Sequence, residues 1–488
     1  MLEYQLPEML RVGIEDLVLQ ILILDLGQPV TFLKKALDPP TNLAMSNSLK
    51  LLEELGAVDC QWKTNRKIQE DEDLDVTSEL TALGFHLATL PVDPRVGKMM
   101  IYGALFGCVD PLLTLAASMS SRSPFMSPFD QRDQADEARK TFAVAGSDHL
   151  TILNAFNQWS ELRQKKGNRL VQSFLKENFL GRLTLFQIED LRKQFHSLLI
   201  DIGFLPKKFQ LKDMNHVTNA NSQNRGLIKA VLCAGLYPNI IVAPRAVTSS
   251  TAVGGGSKFK EKNNKNVGEH SFRSHTKGDV YLHPSTIAFD ESQLDSRYCC
   301  YHELVRTSKT YVRDCTTVSP FALLLFGGRL EVYQTHGICS VDEWLKFRID
   351  AKPATLIKYL RGKMEQLLFQ KIVSPQEDII ESEEGRAVIQ SISRLFESEY
   401  SLQMAEGQEL APDSNGNEMV RPWTGMEDEN NRVSNRRRTN YQQEQNDINS
   451  QSASTSSAPI GGIRGKERGR GGGRNSGGRS GRGRRGDR

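Results

Sequence analysis

No GxxxxGK[ST] run occurs in the 488 residues. The nearest approaches, Gly256-Ser257-Lys258 and Gly362-Lys363, lack the upstream glycine and follow no buried strand, so the backbone cradle for a nucleotide's phosphates is missing. The acidic run Asp71-Glu72-Asp73 continues with Leu74, which excludes a magnesium-holding DExH/D box, and His302-Glu303 lacks the second histidine of an HExxH zinc site. Nine histidines are scattered, with no Ser/His/Asp or Cys/His arrangement, so no catalytic centre, metal or cofactor is expected in this chain. Seven cysteines form no CxxC pair, and adjacent Cys299 and Cys300 should point to opposite faces of a strand. A chain this long needs no disulfide frame, and the pattern points to a reducing compartment, the cytoplasm. Long apolar runs are also absent. Leu17 to Leu24 contains Gln20 and is bordered by Glu15, Asp16 and Asp25, so it reads as a core helix, neither signal peptide nor membrane span, and no membrane partner is expected.

What is present is an uneven charge. The total is +3, but residues 1 to 60 hold 4 Lys/Arg against 9 Asp/Glu, residues 161 to 212 hold 11 against 5, and residues 225 to 347 hold 15 against 11. A polyanion should therefore meet the middle and later parts of the chain.

The fold class expected is multidomain α+β. Residues 1–79 read as three short helices and a polar hairpin, a winged-helix pattern whose acidity suits protein docking better than a DNA groove. Residues 80–224 read as a helical bundle: Asp93-Pro94 and Asp110-Pro111 each offer an N-cap with proline at the first helical position, Ser127 or Asp130 can cap the next helix, and Ser147-Asp148 another. Residues 225–347 alternate like a small β-barrel of the oligonucleotide-binding kind, with CCYHELV, KTYVRDCTTV, ALLLFGG and RLEVY among its strand-like runs. Glycine-rich residues 249–277 read as a mobile insertion in it. Residues 348–402 form a C-terminal helical segment, its last helix starting at Ser374-Pro375. Residues 403–488 read as a disordered tail. That tail ends in arginine and glycine, and Arg464, Arg468, Arg470, Arg474, Arg479, Arg482, Arg484 and Arg485 suit salt-sensitive RNA contact.

The segment Tyr301 to Gly328 carries the most information. Two strands flank Arg306, Lys309, Tyr311 and Arg313, and strand spacing sends Lys309, Tyr311 and Arg313 to one face, with Thr310, Val312 and Asp314 on the other. Cations for phosphate and a ring for a base would then share a surface. A solvated sheet face is the competing reading.

Six stretches, QLPEMLR, LTALGFHLATLPVDPRVGKMMIYGALFGCVDPLLTLAASMSSRSPF, SDHLTILNAFNQW, LIKAVLCAGLYPNI, YHELVRTSKTYVRDCTTVSP and LLLFGG, span roughly residues 4 to 345 and resemble the C-terminal half of DEAH/RHA-type RNA helicases. The resemblance implies a degenerate winged helix, a ratchet-like helical domain and an OB-fold. It also implies two RecA-like motor domains as partners, which this sequence does not contain, with ATP and Mg belonging to a full-length parent. The chain is thus not expected to act as an enzyme by itself. A nuclear or organellar location would follow if a missing N-terminus carried a targeting segment. The family's RNA path implies contacts at Arg122 and Ser123 in SRSPF, and at Ser308, Lys309, Tyr311 and Arg313 in TSKTYVRD, with Arg306 as a further cation. Arg122 could equally pair with Asp130 or Asp133. The function expected is sequence-independent binding of single-stranded RNA, and the alternative is an adaptor that docks a protein through the winged helix.

Overall fold

The computed structural model describes residues 7–63, 74–244, 247, 266–333, 337–406 and 427–428, apart from positions 145, 166, 212 and 378. The first helices are α1 (Glu15–Ile23), α2 (Pro29–Leu33) and α3 (Asn42–Glu54), followed by an antiparallel pair, β1 (Val58–Trp62) and β2 (Val76–Leu80). Thr41 caps α3 by accepting from the Ala44 N–H at 3.1 Å. α1 buries Val18, Leu19 and Ile21, whereas Leu24, just beyond its end, is 63% exposed. Gln28 ties helices to hairpin by accepting from the Ser78 N–H at 2.8 Å.

Eight helices follow: α4 (Ala82–Thr89), α5 (Pro94–Phe106), α6 (Val109–Met119), α7 (Arg132–Lys140), α8 (Asp148–Lys165), α9 (Asn168–Glu177), α10 (Arg182–Asp201) and α11 (Arg225–Leu236). α5 begins as its sequence demands, with Asp93 accepting from the Arg95 N–H at 2.8 Å and Pro94 at the first position. It is buried on all sides, and Gly235 of α11 lets the two helices touch: a Cβ there would lie 2.5 Å from that of Met99. α6 does not start at Asp110. It starts at Val109, and Asp110 instead accepts from the Arg192 guanidinium of α10, a use of the carboxylate that local spacing does not reveal. Neither Ser127 nor Asp130 caps α7, because a 3-10 turn over Phe129–Gln131 intervenes.

Five strands close a barrel: β3 (Ile240–Val242), β4 (Ser271–Ser274), β5 (Gly278–Leu282), β6 (Tyr298–Arg306) and β7 (Thr310–Val318). Their order is β3-β4-β5-β7-β6, with β6 returning to β3 and only β5 and β7 parallel. Cys299 lies in the barrel core with Phe272, Val280 and Val312, while Cys300 lies in the large helical core, so the neighbours do face opposite ways. Each fully buried apolar side chain of this kind contributes about 1.5–3 kcal/mol. The remaining elements are α12 (Pro320–Phe326), β8 (Leu330–Tyr333), β9 (Ile338–Val341), β10 (Leu345–Arg348), α13 (Ala351–Val373), α14 (Glu383–Glu406) and a short β11 (Glu427–Asp428) paired to β10.

Three expectations change here. Residues 271–274, inside the expected insertion 249–277, form β4: Phe272 and Ser274 point in while Ser271 and Arg273 point out, a strand alternation hidden beside glycine-rich sequence. ALLLFGG is mainly helix, because Ser319 accepts from the Phe321 N–H at 3.0 Å and Pro320 takes the first helical position. Ser374-Pro375 ends one helix rather than starting the next, and α14 begins only at Glu383. The tail arginines Arg464, Arg468, Arg470, Arg474, Arg479, Arg482, Arg484 and Arg485 lie outside the described residues.

Candidate nucleic-acid interface

The outer surface of the barrel gathers the expected residues around β7. Parallel pairing sets Tyr281 of β5 beside Tyr311, with ring centroids 6.4 Å apart. Lys309, in the turn between β6 and β7, holds its ammonium 4.0 Å from the Tyr281 ring centroid. His283 meets the Tyr311 ring edge to face at 6.0 Å. Burial, then the charge of Arg313, holds the imidazole of His283 below its ordinary range, so at neutral pH it is a neutral ring. Arg313 stands opposite Glu303 in the register, and its Nε is buried with no hydrogen-bond partner. Arg306 and Ser308 are exposed at the hairpin tip. Lys309, Tyr311 and Arg313 thus share a face, and Val312 turns into the barrel core as expected.

Tyr281 and His283 escape a reading by sequence alone. In DVYLHP, Val280 and Leu282 are fully buried, so the alternation itself places the ring residues outside. The signal was there, without a cation beside it to draw attention.

Arg122 and Ser123 sit on a separate loop between α6 and α7. Its course is fixed by the Gly181 N–H donating to the Pro124 carbonyl, and the Met126 N–H to that of Phe179, each at 2.8 Å. Arg122 is exposed and forms no ion pair with Asp130 or Asp133 among the described residues, while Ser123 accepts from the Phe125 N–H at 3.3 Å. The connection to the barrel is Arg139, which sequence reasoning did not single out. Its guanidinium lies 5.2 Å over the Phe125 ring, pairs with Asp148 at 2.9 Å and donates to the Ser285 carbonyl. Ser285 in turn bonds the His283 ring at 2.8 Å. Loop and platform are therefore linked through one side chain.

Beneath the platform runs a buried polar seam. Asp148, 1% exposed, accepts from Arg139, from the Ile287 N–H at 2.8 Å and from the Cys315 N–H at 3.0 Å. Burial pushes its carboxyl up to about 6, with Arg139 opposing. Thr316 bonds both Ser147 and the His149 ring at 2.8 Å, and burial pushes His149 down to about 4. The start of α8 is thereby bolted to β7. Among the described residues no three His, Cys, Asp or Glu side chains converge to hold a metal ion, and no helix is long and apolar enough to cross a membrane.

Comparison with known proteins agrees with this architecture. Residues 93–152 match the ratchet-like helicase associated domain (HA2), residues 228–330 the oligonucleotide/oligosaccharide-binding (OB)-fold, and residues 337–398 the C-terminal domain in RNA helicases. Over 378 residues the chain is 39% identical to the mouse ATP-dependent DNA/RNA helicase DHX36, covering 76% of this chain and 34% of that protein. It is 37% identical over 399 residues to the Arabidopsis thaliana DExH-box ATP-dependent RNA helicase DExH1, covering 81% and 36%. It is 35% identical over 402 residues to the human ATP-dependent RNA helicase DHX29, covering 82% and 27%. The chain spans about a third of the length of these relatives.

Proposed function

The chain carries the ratchet-like, OB-fold and C-terminal domains of the DEAH-box RNA helicases, matching their C-terminal half, and on that premise we propose that it grips single-stranded RNA without sequence preference. The observation that supports this reading is the Lys309, Tyr281, Tyr311 and His283 cluster. Clustered rings, one tilted and one edge-on to Tyr311, with adjoining cations would accept any base plane and any phosphate, so affinity comes without sequence readout. Arg313 adds a second cation, Arg306 and Ser308 extend the tip toward the backbone, and Arg122 and Ser123 continue the surface onto the helical domain. The tail arginines would add salt-sensitive contact.

The relatives are named as ATP-dependent. We assign ATP and Mg to RecA-like partner domains of a whole enzyme, since the donor set here does not fit them: the sequence has no phosphate-cradling GxxxxGK[ST] run. Cytoplasmic residence suits the seven unpaired cysteines, six of them buried. A second reading, a protein-docking adaptor, is favoured by one observation: the acidic N-terminal region, which resembles a winged helix, exposes Leu24, Leu26 and Leu37, the last fully.

Fluorescence anisotropy with an unstructured RNA tests the first reading. In a chain ending at Asn430, which keeps β11 and removes the arginine tail, replacing Lys309 and Arg313 by Ala should weaken binding. It should also flatten the salt dependence by roughly 0.7 in slope for each phosphate no longer neutralised. Unchanged affinity and slope would remove the platform from the RNA path.

A further inference from the structure

A concavity of about 110 Å³ opens on the helical domain, and none of the platform residues lines it. Its floor is apolar: Leu150 and Leu153 of α8 and Ile228 of α11 are 3%, 8% and 2% exposed. Helical spacing places Asn157 on the same stripe of α8 as Leu150 and Leu153, and Arg225 one turn before Ile228. Asn157, Arg225 and Gln223 make an exposed rim, joined by Met214. Among the described residues none of the Asn157, Gln223 or Arg225 side chains has a hydrogen-bond or ion-pair partner. Asp110 also lines the wall, its carboxylate held by Arg192.

We infer that this pocket takes one single-ring base of a bound RNA, so that a strand held without sequence preference elsewhere meets a pyrimidine preference at one position. The inference rests on the RNA-binding reading above and deepens it. Size limits the ring number: a cavity of about 150 Å³ encloses benzene, so one of about 110 Å³ that is open on one side can take no more than a single ring, and a purine's second ring stays outside. Two amides and a guanidinium at the rim offer the donors and acceptors that read a base edge. An apolar side chain from a protein partner would cover those groups without satisfying them, at a cost that a base avoids. Met214 supplies a polarisable contact for the ring face.

The test uses the full chain and fluorescein-labelled oligouridine in which a single abasic site is moved along the strand. One position should lose at least about fivefold in affinity, the lower end of what a bound base contributes. Adenosine there should weaken binding relative to uridine. The double variant Asn157→Ala, Gln223→Ala, changed at exposed positions, should erase both differences while leaving the remaining positions as they were. In parallel, 4-thiouridine at the sensitive position should photocrosslink to the peptides carrying Met214 or Gln223. A flat abasic profile with binding retained would overturn the pocket alone, as would a sensitive position that the double variant leaves intact. Absence of all RNA binding by the unmodified chain would overturn both this inference and the reading on which it rests.

Discussion

β7 is one strand with two different halves. From Thr310 to Arg313 it alternates between the barrel core and solvent, and its outward side chains carry the cation and ring chemistry. From Cys315 to Val318 every residue is buried, because α8 and α11 cover the face that the first half leaves open. The boundary is Asp314, held at a φ of +50°. Val312 and Cys315 both enter the barrel core although they are three positions apart, so the alternation resets at Asp314. The difference teaches how one strand of a small barrel can be both an outward platform and a structural hub. The outward cation and ring groups stay where replacement costs little stability, and the groups that fix the barrel's orientation are kept dry on the same strand.

The comparison breaks hardest at the dry half. Asp148→Ala removes the acceptor for the Arg139 guanidinium and for two buried N–H groups. A loss of about 3–5 kcal/mol is expected from leaving such partners unpaired. Thermal unfolding should show it as a large drop in Tm or as failure to accumulate folded protein. A drop under about 1 kcal/mol would mean that the seam does not hold the two domains together.

The wet half should respond in the opposite manner. Tyr281→Ala removes a ring from the platform and the face over which Lys309 lies. RNA affinity should fall by about 1–3 kcal/mol, the worth of one stacked base, as read by anisotropy. Tm should move by far less than for Asp148→Ala, since Tyr281 is only half-buried. If stability falls and affinity does not, the ring is part of the packing and the contrast between the halves fails.

Legibility in the sequence followed the same division. The dry elements with strong local signals were readable: Asp93-Pro94 opened α5, Ser147 capped α8 by accepting from the Leu150 N–H at 3.1 Å, and the β6–β7 hairpin lay where its alternation put it. So were Tyr311 and Arg313, which strand parity groups, while Lys309 lies in the turn before β7 and joins them over the Tyr281 ring. Arg139 could not be found, since its three partners, Phe125, Asp148 and Ser285, are distant in sequence and meet only in the fold. β4 was hidden by its glycine-rich neighbourhood. The helix α12 was missed despite a readable Ser319-Pro320 start, because six apolar residues in a row, Phe321 to Phe326, fit a buried strand as well as a buried helix.

The smallest effect expected lies where the dry half of β7 ends. Ser319, the residue after β7, donates to Glu399 of α14 at 2.5 Å, close to Lys229, which pairs with Asp295 at 3.3 Å and bonds Thr317 at 3.1 Å. Burial pushes the Glu399 carboxyl up to about 7, the Asp295 charge adding to it and Lys229 opposing. A carboxyl raised in the folded state binds its proton more tightly there than in the unfolded chain. Its contribution to stability is therefore fully present below the ordinary glutamate range and lost as pH rises through about 7. Glu399→Gln keeps an acceptor for Ser319 and cannot ionise. The variant should match the wild type at pH 4 and exceed its Tm at pH 8, by no more than a few degrees because the side chain is only partly shielded from solvent. An equal gain at both pH values would show that the amide merely packs better, and a loss at pH 8 would show that the ionised carboxylate is held by Lys229 after all.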